Sequence, residues 1–130
     1  MTKPEENNAL ETEREYRTTV SNRAFEFAMD QLKESYPKSE IETWERQRAE
    51  AVAWGDDASV PTPWIDIAAQ VRGIPRDEFL SRTLDKVHKF AGASAYLVGR
   101  RQAIEDAIAQ AQTPGAVAAI VIDYTLPEAE

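Results

Sequence analysis

The sequence predicts an all-α protein: an antiparallel N-terminal helical hairpin, a short helix, a long spine helix and a short C-terminal helix, with little or no β structure. Three observations carry that expectation. Pro75 to Ala111 has no internal proline and returns a seam residue every three or four positions, at Thr83, Val87, Phe90, Ser94, Leu97, Arg101, Ile104, Ile108 and Ala111, the spacing of one helix face. Leu10 to Tyr36 shows the same period in two adjacent stripes, Tyr16, Val20, Ala24, Phe27 and Phe25, Met29, Leu32, Tyr36. The gaps between these stretches hold residues that stop or start helices: Pro37, Gly55, Thr62-Pro63, Gly73 and Thr113-Pro114.

Residues 1–9 are polar and read as a flexible tail, with one helical domain over 10–130 that divides into a hairpin (10–55) and a second part (62–123). Pro37 ends the first helix, because proline disfavours a helical residue before it. Ser39 with Glu42 has the form of a capping box. A second helix follows from about Glu40 to Trp54, with Ile41, Trp44, Arg48 and Ala51 inward, and Gly55-Asp56-Asp57 closes it. The short link at Pro37 makes the first two helices side-by-side, antiparallel neighbours.

Thr62-Pro63 reads as an N-cap followed by proline at the first helical position, where a missing N–H costs nothing. Trp64, Ile65, Ala68, Ala69 and Val71 then form a short helix that Gly73 stops. Pro75 restarts helicity, with Asp77 and Glu78 at the positive end of the spine's dipole. At 1.5 Å per residue the spine spans roughly 55 Å. Gly92 and Gly99 each cost it about 1 kcal/mol relative to alanine, and the small-residue run Ala91 to Ala95 predicts a close crossing of another helix. Thr113-Pro114 opens a last helix over Gly115 to Asp123, with β-branched Ile120-Val121-Ile122 as the alternative strand.

Composition narrows the function classes. The 130 residues carry 23 acidic and 15 basic side chains, a net charge of −8, which repels nucleic-acid phosphates and anionic lipid on approach. Residues 1–60 hold 14 acids and 8 bases, whereas Arg72 to Arg101 reverses to 7 bases and 3 acids. The two regions can pair within or between chains, or the acidic one can meet a separate partner. With no cysteine, neither a disulfide nor a thiolate metal site is possible. No secretory signal or membrane span is visible, which predicts a cytoplasmic protein.

Catalytic chemistry is poorly represented. The single histidine, His88, has no nucleophile elbow beside it and no second histidine four positions away. Asp56-Asp57 and Asp77-Glu78 lack the alternating oxygen ligands of a calcium loop, and the isolated glycines do not form a phosphate cradle. The sequence therefore predicts no enzyme, no cofactor and no metal. Arg101 can pair with Glu105 four residues on. Trp44, Trp54 and Trp64 cluster in sequence around one corner, and an incompletely covered tryptophan often anchors a partner; at least one of Trp54 and Trp64 is expected to be only partly buried.

Trp44-Glu45-Arg46-Gln47-Arg48-Ala49-Glu50-Ala51 with Trp54, Thr62-Pro63-Trp64-Ile65-Asp66, Arg72-Gly73, and Gly99-Arg100-Arg101-Gln102 with Glu105-Asp106 together resemble helical proteins of tailed bacteriophages and prophages associated with tail or tail-fibre assembly. The resemblance spans about two-thirds of the chain, Glu42 to about Ile122. It implies a non-catalytic tail-fibre assembly chaperone or accessory tail protein, acting on a fibre subunit in the bacterial cytoplasm. On that reading Trp44, Gln47, Trp54, Trp64, Arg72 and Arg101 are the candidate partner-binding residues. Two other readings stay open, an acidic inhibitor of a host nucleic-acid-binding complex and a helical component retained in the virion. An uncovered stripe on the long spine also leans toward a homodimer.

Overall fold

The computed structural model describes residues 4–127. It contains α1 (Pro4–Lys33), α2 (Lys38–Ile41), α3 (Trp44–Asp56), α4 (Pro63–Arg72), α5 (Arg76–Gln110) and α6 (Pro114–Ala118). No strand occurs among the described residues, so the fold is all-α. The chain divides into two compact units, Lys33–Gly92 and the remainder on either side of it, and α5 contributes residues to both.

The α5 seam is inward along its length. Thr83, Leu97, Ile104 and Ile108 are buried, and Val87, Phe90, Ser94, Arg101 and Ala111 are partly so. Within Lys33–Gly92 the core is Ala51, Ile65 and Leu80, with Trp54, Trp64, Phe79 and Leu84 packed on it. Gly55 lies where an added Cβ would come 3.3 Å from Leu84 Cδ2, so its lack of a side chain brings the end of α3 close to α5. Gly73 ends α4 with φ 83°, a left-handed conformation that glycine adopts without a Cβ penalty. The amides of Gly73 and Ile74 both donate to Ala69 O, and the chain turns directly into α5.

In the other unit Leu97, Ile104, Ile108, Val117 and Tyr124 form the core, covered by Leu10, Ala24, Phe25, Ala28, Met29 and Leu32 from α1 and by Ile120, Ile122 and Leu126 beyond α6. Where the sequence pairs the first two helices as a hairpin, the buried face of α1 is covered by α5, α6 and the C-terminal segment. The close neighbour of α3 is α4.

Several local expectations are corrected. Pro4 to Ala9 are helical, so the polar start of the chain is the first turns of α1; residues 1–3 of the expected tail lie outside the described residues. Ser39 caps nothing, because Pro37 takes the N-cap position and Ser39 sits inside the single turn of α2. One of the two α1 stripes is inward only in part: Val20 and Ala24 are partly buried, whereas Tyr16 and Phe27 remain 61% and 66% exposed, because the buried face centres on Ser21, Ala24, Phe25 and Ala28. Arg48 points into solvent beside Glu45. Gly92, within the run where a crossing is expected, and Gly99 both face open space, with nothing within 4 Å of a Cβ added at either. The last helix stops at Ala118, and Ile120 to Pro127 is neither helix nor strand.

Candidate partner-binding surface

At the corner between α3, α4 and α5, Glu50 is buried on α3 and directs its carboxylate at the start of α4. Trp64 N donates to Oε2 (3.1 Å) and Ile65 N to Oε1 (2.9 Å). These amides are among the four that every helix leaves without an internal acceptor, and the carboxylate also meets the positive end of the helix dipole. Arg46 Nε approaches from one turn earlier at 3.7 Å.

Glu50 thus does what the sequence assigned to Thr62. The fully buried Thr62 holds the N-cap position but makes no side-chain cap. Its hydroxyl donates to Asp66 Oδ1 (2.8 Å) and accepts from Arg76 Nε (2.9 Å). Arg76 also reaches Asp66 Oδ1 (2.9 Å) and Val60 O (3.0 Å), so one guanidinium ties the loop before α4 to the first turn of α5.

With its inner face and first turn fixed in this way, α4 turns a second apolar stripe outward. Trp64, Ile67 and Val71 follow at intervals of three and four; Trp64 is half-buried, Ile67 is 66% exposed and Val71 is 83% exposed. The sequence reading names Val71 among the residues of the short helix without a side and does not single out Ile67. The signal was present: a ten-residue helix with Trp64, Ile65, Ile67, Ala68, Ala69 and Val71 is apolar on nearly every side, and Ile65 and Ala69 alone fill the core position.

The residues named from sequence separate into groups. Trp54 and Trp64 come together on the Ala51–Ile65–Leu80 core, each partly buried. Arg72 lies 5.6 Å from the Phe79 ring centroid, the range of a cation–π contact. Trp44 stands edge-on between Tyr36 (5.0 Å) and Phe90 (5.5 Å), and Lys86 Nζ lies 5.9 Å from the Tyr36 ring. The Gln47 amide donates to Thr43 Oγ1 (2.9 Å). Arg101 belongs to the other unit and pairs with Glu105 at 2.7 Å.

That second unit holds a feature no sequence motif announced. Ile120 to Leu126 runs without helix or ladder bonds, and its exposure alternates: Ile120, Ile122, Tyr124 and Leu126 face in, while Val121, Asp123 and Thr125 face out. Tyr124 OH is 2.6 Å from Ser21 Oγ, and its ring meets Phe25 edge-on at 5.8 Å. Arg17 donates to Ile120 O, and Arg100 Nε to Asp123 O at 3.0 Å. Arg17 Nε is itself buried with no partner, which costs about 1–3 kcal/mol. Arg14 donates to Ile108 O (3.2 Å), Ala109 O (3.2 Å) and Ala111 O (2.7 Å), satisfying the carbonyls that α5 leaves open at its end.

Two exposed carboxylates are shifted, and both organise turns. Asp57 is held below the ordinary carboxylate range by the hydroxyl and then the amide of Ser59. Asp123 is lowered by the side chain and amide of Thr125, with Arg100 adding a smaller effect. No group of three or more metal-ligating side chains converges among the described residues, and no helix there is long and apolar enough to cross a membrane. What this arrangement offers chemically is apolar and aromatic surface on a braced frame.

Among known proteins, a family model for the HI1402 helical domain matches residues 85–122, under a third of the chain. The matched stretch begins within α5, includes α6 and stops at Ile122. No curated protein and no solved structure matches the chain.

Proposed function

We propose that this chain is a non-catalytic helical binding protein that captures an aggregation-prone structural protein, a phage tail-fibre subunit in the case the sequence resemblance implies, and does so through the outer face of α4. The observation that carries the reading is the Trp64–Ile67–Val71 stripe. Anchors at i, i+3 and i+7 are how one helix enters a partner's apolar groove, and exposed apolar side chains that cluster mark an interaction site more reliably than scattered ones. The bracing of Glu50 and Arg76 supports the same reading, because a surface held in place before binding loses less entropy on association.

The corner between α4 and α5 has the turn of a helix-turn-helix, yet its chemistry favours a protein partner. Asp77 and Glu78 occupy the first turn of α5, where a reader of DNA needs donors for base edges and phosphates. Co-expression with the accompanying fibre subunit is the test. The chain should raise the soluble yield of fibre severalfold, and a yield that is the same with and without it contradicts the proposal.

A further inference from the structure

We infer that the outer face of α1 is a self-association surface, on which a second copy of this chain docks its own α1 antiparallel, about a two-fold axis level with Ala24 and Phe25. The surface belongs to the unit that does not contain α4, and the inference does not depend on a fibre partner.

The fold leaves this face open. Tyr16 and Phe27 are 61% and 66% exposed, and their separation closes about three helical turns, so the two rings lie on the same side of α1. Beside Phe27 the surface forms an open depression lined by Thr19, Asn22, Arg23, Glu26, Phe27 and Asp30, all of them exposed. Its charges are unspent. The other arginines of the chain each meet a carboxylate, a carbonyl oxygen or an aromatic ring, whereas among the described residues Arg23 meets none of these, and neither Glu26 nor Asp30 has an ion pair there.

The order of the six residues identifies the occupant. Counted outward from a point between Ala24 and Phe25, the N-terminal side presents Arg23, Asn22 and Thr19, and the C-terminal side presents Glu26, Phe27 and Asp30 at the same offsets. An antiparallel copy exchanges the two sides. Arg23 then faces Glu26 of the second copy, the Thr19 hydroxyl donates to Asp30, and Phe27 rests on Asn22, each pairing made twice by the two-fold axis. The patch thus balances its one base with its own acids. Parallel alignment sets Arg23 on Arg23 and Glu26 on Glu26, where like charges repel.

The helical spacing suits the same contact. Tyr16, Thr19, Arg23, Glu26 and Asp30 follow at alternating intervals of three and four, the row along which two long helices stay together. One helix from each copy makes an interface at the small end of the known range. Its centre is polar, so the dimer is reversible and forms at high micromolar concentration.

Sedimentation velocity of the full chain, from about 10 µM to about 1 mM, should show a reversible monomer–dimer equilibrium. Arg23→Glu and Glu26→Arg each turn two attractive pairs into repulsive ones, and each should weaken the dimer about tenfold or more. An equimolar mixture of the two variants should pair again, because the acids of one copy then face the bases of the other. Direction is read with introduced cysteines, since the chain has none of its own. Under mild oxidation Thr19→Cys mixed with Asp30→Cys should give a disulfide-linked pair, and Thr19→Cys by itself should not.

All these positions are exposed, so circular dichroism should show unchanged helix content in each variant. Where a charge reversal loses helix, Arg23→Gln or Glu26→Gln removes the pair without adding repulsion and should weaken the dimer by a smaller factor. A chain that stays monomeric over the whole range overturns the inference, as does a dimer that the charge reversals leave intact. Loss of the dimer in the Ile67→Asp, Val71→Asp variant would place self-association on α4 and overturn it as well. Ready crosslinking of Thr19→Cys to itself would overturn the antiparallel arrangement.

Discussion

Each of the two units of this chain is held together internally in its own way. In Lys33–Gly92 the decisive polar contacts are local, Glu50 to the α4 amides and Arg76 to Thr62 and Val60, with sequence separations of 14 to 16 residues. In the other unit Arg14, Arg17 and Ser21 hold Ile108, Ile120 and Tyr124 across separations of 94 to 103. The first arrangement joins side chains and a helix terminus into a corner that closes early. The second clasps main chain and one tyrosine, and completes only when the far end of the chain arrives. The difference teaches that the corner is built from neighbours in sequence, whereas the clasp depends on contacts that span most of the chain.

Removing Glu50 should break that contrast most severely. Glu50→Ala strands one buried and one partly buried amide at the head of α4 and should cost about 3 kcal/mol, since bonds to a charged acceptor are the stronger kind; Glu50→Gln, which keeps an acceptor, should cost about half. Denaturant unfolding measures both, and a loss under about 0.5 kcal/mol for the alanine variant would show that the cap does not hold the corner.

Glycines sharpen the comparison at a smaller scale. Gly73→Ala forces a side chain into φ 83° and should destabilise by about 1 kcal/mol, with asparagine recovering part. Gly92→Ala adds a methyl group to open space on α5 and should stabilise by up to about 1 kcal/mol. Thermal melts of the pair should move in opposite directions. A destabilised Gly92→Ala monomer would mean that face is covered.

The smallest effect is that of acid. Asp57 and Asp123 are lowered in the folded chain, so what they contribute is present above the unfolded carboxylate value and is lost as pH falls through the folded one. Asp123→Asn should therefore melt slightly below the wild type at pH 6, and the gap should close as the pH drops below about 4. A gap that persists at pH 2 means that the Asp123–Thr125 turn owes nothing to the charge.

How much of this was legible follows the same local-versus-distant division. The α5 seam, the Gly73 stop, Pro63 at the first helical position and the Thr113 cap, whose hydroxyl accepts from Ala116 N at 3.1 Å, depend on neighbours within a few residues and could be read directly. Trp54 and Trp64 were placed at the corner and are partly buried, as expected. Glu50 was not recognised, because in sequence it is one more acid on a charged helix. Its role exists only when α4 folds back onto α3.

Tyr16 and Phe27 share the period of Val20 and Ala24 yet stay exposed, since periodicity does not say how far around a helix another element will cover. The terminal segment failed for a related reason. Ile120-Val121-Ile122 suggested regular structure of either kind, yet its partners are side chains about 100 residues away, invisible to any local rule.

The claim at the centre of this account is that the outer face of α4 is the surface the chain works through. Binding of a purified tail-fibre subunit by the wild type and by the Ile67→Asp, Val71→Asp double variant, with melting temperatures compared in parallel, tests it most directly. The account predicts unchanged folding, because both side chains face water, with affinity reduced a hundredfold or more, as two central anchors of about 2 kcal/mol each imply. Equal affinity in a folded double variant would contradict it.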